Sequence, residues 1–187
     1  MRRITFAVGL LGAISVTAQT HDHDHGHHQH NAPAHQHGLG HLDLVLEDEL
    51  LLLELQIPAE DLLGFEHAPR TTEQRAQVQA LRDTLQQPEL LFRLPAAARC
   101  DLETMELHSS LFTQADTQEE SDHHTLAEHA DIRAQYQFRC TAVAHLQHLD
   151  IVLFGQFPGS ETLQLQAITP RGQYGDELNA THNRIRL

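Results

Sequence analysis

From position 41 onward the chain alternates. Leu42, Leu44 and Leu46 are separated by polar or smaller residues, Glu47-Asp48-Glu49 breaks the run, and Leu51, Leu53 and Leu55 resume it before Ile57 and Pro58. A period of two puts every second side chain on one face of a strand, so the pattern predicts a β-hairpin with one face buried. Leu50 to Leu53 is apolar throughout, which predicts cover on both sides of the second strand. Ala59 to Gly64 reads as a short helical turn and Phe65 to Pro69 as a loop. Thr71 followed by Gln74 is a capping box. Val78, Leu81 and Leu85 then mark the apolar stripe of a helix that stops before Pro88.

Glu89 to Leu94 reads as a turn that packs Leu90, Leu91 and Phe92. Cys100 opens a strand with Leu102 and either Met105 or Leu107 inside, depending on a bulge. Residues 113–128 are polar and acidic, and predict a mobile loop. Ile132, Ala134, Tyr136, Phe138 and Cys140 alternate without a break, the clearest strand in the chain. Leu149, Ile151 and Leu153 give the next, and Leu163 to Ile168 another after a turn at Phe157-Pro158-Gly159. Pro170-Arg171-Gly172 turns the chain, and Arg184 to Leu187 reads as an edge strand. Together these elements predict an α+β fold: a mostly antiparallel sheet of about six or seven strands with one main helix, in a single domain over 39–187.

Upstream of that domain the pattern differs in kind. Arg2 and Arg3 precede an apolar stretch from Ile4 to Val16, and Val16-Thr17-Ala18 supplies small or apolar residues before Gln19. These are the parts of a signal peptide spanning 1–18 and cleaved after Ala18. The apolar stretch is about 13 residues, short of the roughly 20 a membrane span needs. The expectation is therefore a periplasmic protein with no membrane insertion once the signal is removed. Residues 19–38 are a histidine-rich tail with almost no large apolar side chains, so they cannot bury enough surface to offset their ordering entropy and are expected to be disordered.

Charge narrows the partners. Twelve basic residues stand against 26 carboxylates, a formal net charge of −14. Nucleic acid needs a basic footprint and is excluded as a partner; a negative field attracts cations. The two cysteines, Cys100 and Cys140, favour a disulfide over buried thiols in an oxidising compartment.

The tail carries the strongest chemical signal. His21, His23, His25, His27, His28, His30, His35 and His37 recur mostly at spacings of one or two residues, with Asp22 and Asp24 between them. Imidazole and carboxylate are ligands for Zn²⁺, and a His-x-His pair puts both rings on one side of an extended chain. An unstructured ligand set follows the Irving–Williams order, so Cu²⁺ and Ni²⁺ compete for it. Selection needs a built site. His41 begins the first strand, Glu66 and His67 lie in the loop after it returns, His123 and His124 lie in the acidic loop, and His129 and Asp131 share a face at the head of the clearest strand. The first strand head, the loop at 66–67, and the clearest strand's head with the loop just before it are three regions offering N/O donors, which matches the stoichiometry of a zinc site. If the strand heads share one end of the sheet, these donors cluster there. His108, His145, His148 and His182 read as bystanders.

These residues also carry a resemblance. His35-x-His37-Gly38, Gly64-Phe65-Glu66-His67-Ala68-Pro69, Tyr136-x-Phe138-x-Cys140 and Leu153-Phe154-x-x-Phe157-Pro158 occur in that order, with Cys100 ahead of the acidic loop. The chain resembles the ZrgA-type periplasmic zinc-binding proteins over residues 35–187. The resemblance implies Zn²⁺ as the physiological metal and an accessory role beside a high-affinity zinc importer, with the substrate-binding protein of a zinc ABC importer as the partner. It departs from the family in the loop at 113–128, where only His123 and His124 precede His129.

The function expected is a monomeric protein that captures zinc and assists its uptake. A broad metal buffer for Cu, Ni and Zn is the alternative, and a zinc-dependent hydrolase a more remote one. An enzyme is not expected: there is no His-Glu-x-x-His, and His124 to His129 is one residue too long for the inverted pattern.

Overall fold

The computed structural model describes residues 36–112 and 130–187. The expected signal peptide at 1–18, the tail up to His35, the loop at 113–128 and the residues His123, His124 and His129 lie outside the described residues. Two sheets carry the described part. The larger has six strands: β1 (Leu39–Glu47), β2 (Leu50–Pro58), β4 (Cys100–His108), β5 (Asp131–Cys140), β7 (Thr162–Thr169) and β8 (Gly172–Asn179). The smaller joins β3 (Phe92–Arg93), β6 (His148–Ile151) and β9 (Arg184–Arg186) in the order β3-β6-β9.

In the large sheet the order is β4-β5-β2-β1-β7-β8, antiparallel throughout except where β1 runs parallel to β7. The hairpin closes at Asp48, whose φ of 51° is a left-handed conformation that Asp tolerates better than most residues. Its alternating leucines all reach the inner face: Leu42, Leu44, Leu46, Leu51, Leu53 and Leu55 are between 0 and 6% exposed. Burial of each is worth about 1.5–3 kcal/mol.

What covers that face is helix α2 (Thr72–Leu85) and the small sheet. Thr71 and Gln74 make the reciprocal cap that starts α2, and Val78, Leu81 and Leu85 turn inward. Tyr136 on β5 ties the layers together: its hydroxyl donates to the Leu85 carbonyl at 2.8 Å, and its ring meets Phe92 edge-on at 5.5 Å. On the far side, Tyr174 of β8 donates to the Arg186 carbonyl of β9. Among the described residues, nothing packs over the opposite face of the large sheet, where Leu52 and Ile168 are exposed.

Several expectations change in this frame. Leu52 is 41% exposed, so β2 is covered on one side only and its apolar run does not signal a doubly buried strand. Leu153 does not extend β6 but begins a one-turn helix, Leu153–Gln156. Residues 172–179 form an unforeseen strand, and Phe92–Arg93, read as part of a turn, is a short strand after a 3-10 turn at Pro88–Leu90. The bulge in β4 falls between Leu102 and Thr104, which brings Met105 opposite Tyr136 and Leu107 opposite Ala134. Leu102 stays 40% exposed at the sheet edge. Cys100 and Cys140 are cross-strand partners and form a disulfide.

Candidate metal centre

Register decides which donors can meet. His41 lies opposite Gln56, Pro58 opposite Asp131, Arg133 opposite His108, Leu39 opposite Thr162, and Thr162 opposite Asn179. The starts of β1, β5 and β7 and the ends of β2, β4 and β8 therefore share one end of the sheet. Across its open face, His41, Gln56, Arg133 and His108 are successive cross-strand neighbours.

At this end Gln56 is the joint. Its Nε2 donates to Asp131 Oδ2 at 2.8 Å, and its Oε1 accepts from Arg133 Nη2 at 3.2 Å. Its cross-strand partner His41 is exposed. Helix α1 (Ala59–Leu63) is anchored to the same end, because the Ala59 amide donates to the Ala130 carbonyl at 2.8 Å. The helix stops at Gly64, whose φ of 78° is the left-handed cap that glycine adopts without strain. The chain then enters the loop that carries Glu66 and His67.

His67 is oriented by its neighbours. Its ring lies 5.3 Å from that of Phe65, and Nδ1 is 2.8 Å from the Ala68 carbonyl. A carbonyl only accepts, so Nδ1 carries the proton in the neutral ring and Nε2 presents its lone pair. That is the arrangement in which a histidine ligates a metal through Nε2. One carboxylate oxygen of Glu66, Oε2, is buried.

His37 stands just before β1 and extends its Nδ1 to within 3.4 Å of Glu60 Oε2. Its neighbour Gly38 donates to Asp61 Oδ1 at 2.9 Å. Asp61 is only 7% exposed, and burial pushes its carboxyl above the ordinary value; the Gly38 amide and His37 oppose this, while Glu60 and Glu161 add to it. Glu60, Asp61 and Glu161 carry no spacing signal in the sequence, and only the fold brings them to His37. Of the residues read as bystanders, His108 pairs with Glu106 at 3.3 Å, and His182 pairs with Asp176 at 2.9 Å, holding that carboxyl below its ordinary value. Both stand at the same end of the sheet as His41.

Thus His37, His41, Glu66, His67 and Asp131 are placed by the structure, while His35, His123, His124 and His129 fall outside the described residues. Among the described residues no three His, Cys, Asp or Glu side chains already surround one metal position. None of their helices is long and apolar enough to cross a membrane.

A disulfide-stapled α+β domain with imidazole and carboxylate donors at one sheet end offers the chemistry of a protein that handles borderline divalent cations. Comparison with known proteins narrows that class. The model of the ZrgA family of zinc uptake proteins matches residues 34–187, and the chain belongs to that family. No match was found among curated proteins.

Proposed function

We propose that this chain is exported to the periplasm, captures Zn²⁺ there and passes it to a high-affinity zinc importer. Residues 1–18 act as the signal. The histidines of the tail gather the ion at modest affinity, since binding must order the chain. The built site at the sheet end draws on His35, His37, His41, Glu66, His67, His123, His124, His129 and Asp131. The observation that supports this most directly is the Gln56 bridge, which holds Asp131 beside the strand that faces His41, at the end where the tail arrives. The handoff partner is the substrate-binding protein of an ABC importer, and the chain works as a monomer.

Radiozinc uptake by cells lacking the protein tests the reading. Loss should slow uptake when zinc is scarce and leave it unchanged when zinc is abundant. Re-expression should restore it, and a chain with His41→Ala and Asp131→Ala should restore it poorly. Normal uptake in the deleted strain, with greater sensitivity to excess copper or zinc, would contradict the proposal and favour a metal buffer.

A further inference from the structure

We infer that His37, Glu60, Asp61 and Glu161 form a divalent-cation site where the tail meets the domain. The inference rests on the zinc-uptake reading for the identity of the ion and adds three ligands and a location.

Asp61 is the fixed point. Its Oδ1 accepts the Gly38 amide, while Oδ2 is buried and has no hydrogen-bond partner among the described residues. A carboxylate oxygen in that position is expensive, because desolvation is not offset by a donor. The fold does not require the charge: a neutral amide side chain would hold the Gly38 N–H equally well. A carboxylate with one oxygen bonded and one vacant suits a cation.

Three separate segments are clamped around it. The Gly38 carbonyl accepts from the amides of Glu161 and Thr162 at 3.1 and 2.8 Å. Gly38 has a φ of 79°, and a Cβ on it would lie 3.3 Å from Glu161 Cγ and 3.4 Å from its Oε2, so the Glu161 carboxylate lies against this glycine. Gly159 is pressed so tightly to α1 that a Cβ there would come within 2.4 Å of the Asp61 carbonyl oxygen. Carboxylates from residues 60, 61 and 161 are thereby gathered about one backbone turn. The group of potential positive charge acting on Asp61 is the imidazole of His37.

The site closes on its ion. Asp61 is fixed, but His37 and Glu60 are 61% and 44% exposed and can swing toward Oδ2. One imidazole and three carboxylates complete a four-coordinate N/O shell for Zn²⁺. Because residue 37 belongs to the last residues of the tail, an ion held by the tail reaches Asp61 by exchange of one ligand at a time.

Native mass spectrometry and calorimetry with Zn²⁺ on the full chain test this, using Asp61→Asn and, separately, Glu60→Gln with Glu161→Gln. Each variant should bind one zinc fewer than the wild type, with a melting temperature in chelator no lower than the wild type's. Wild-type stoichiometry and affinity in both variants would overturn the site while leaving the zinc-uptake reading intact. A wild-type chain that binds no zinc would overturn both. Loss in Asp61→Asn alone, with a lowered metal-free melting temperature, would mark Asp61 as structural and overturn the site as well.

Discussion

Gln56 and Asp131, 75 positions apart in sequence, are joined side chain to side chain at 2.8 Å. The bond links the strand opposite His41 to the head of β5 and holds the Asp131 carboxylate there. Residues that orient a ligand without touching the metal typically contribute 10–100-fold to affinity. Gln56→Ala should therefore weaken the folded-domain zinc site by at least about 10-fold without changing the number of ions bound. Calorimetry at neutral pH measures both, and an unchanged isotherm would remove Asp131 from the ligand set.

The Cys100–Cys140 bridge closes β4 onto β5 with a sequence separation of 40. Loop-closure entropy alone gives roughly 4 kcal/mol for a loop of this length, less any native strain. Reduction should lower unfolding stability by a few kcal/mol in chemical denaturation with chelator present. Zinc stoichiometry should survive reduction, since the proposed ligands are all imidazoles and carboxylates.

Tyr136 offers a test of the layer packing. It is 1% exposed, and burial raises its phenol well above the ordinary value, so its hydroxyl remains a donor to Leu85 at every accessible pH. Tyr136→Phe leaves the Leu85 carbonyl unpaired beneath α2 and should cost about 1–2 kcal/mol. Zinc affinity should be unaltered, which would separate the core from the metal-handling end.

Much of the fold was legible in the sequence because its signals are local. The alternating leucines of β1 and β2, the Thr71–Gln74 cap of α2 and the unbroken alternation of β5 each depend on one face being buried. Strand β8 was not legible: Gly172–Asn179 places only Tyr174 and Leu178 toward the interior, and its pairing partner β7 supplies the order. The parallel contact of β1 with β7 joins residues more than a hundred positions apart and leaves no periodicity to read. The sheet end was foreseen from the hairpin, which returns the chain beside His41. Glu60, Asp61 and Glu161 were not, because two sit as ordinary acids in the first turn of a short helix and the third is distant in sequence.

Asp61 gives a pH dependence with a definite sign. Its folded carboxyl titrates above the ordinary value of 3.8, so the folded state binds the proton more tightly than the unfolded chain does. Stability from this group is fully present below the unfolded value and is lost as pH rises through the folded one. The buried carboxylate thus works against the metal-free fold wherever it is ionised. Asp61→Asn should raise the metal-free melting temperature at pH values where the carboxyl is ionised, and the gain should vanish below about pH 4. Zinc should stabilise the wild type more than the variant. A lower melting temperature for the variant in chelator would contradict the argument.

The central claim is that the folded domain holds zinc in its own right. The most direct measurement is a zinc titration of the full chain with His21, His23, His25, His27, His28 and His30 replaced by serine, with and without His41→Ala and Asp131→Ala. The serine chain should still bind zinc at neutral pH. That binding should weaken steeply toward pH 5, as imidazoles with an ordinary pKa of about 6.5 take up protons. Adding the two alanines should lower the remaining affinity by at least about 100-fold, the scale of losing more than an orienting residue. A serine chain that binds no zinc, or one whose binding is indifferent to both alanines, would contradict the account and leave the tail as the metal-binding element.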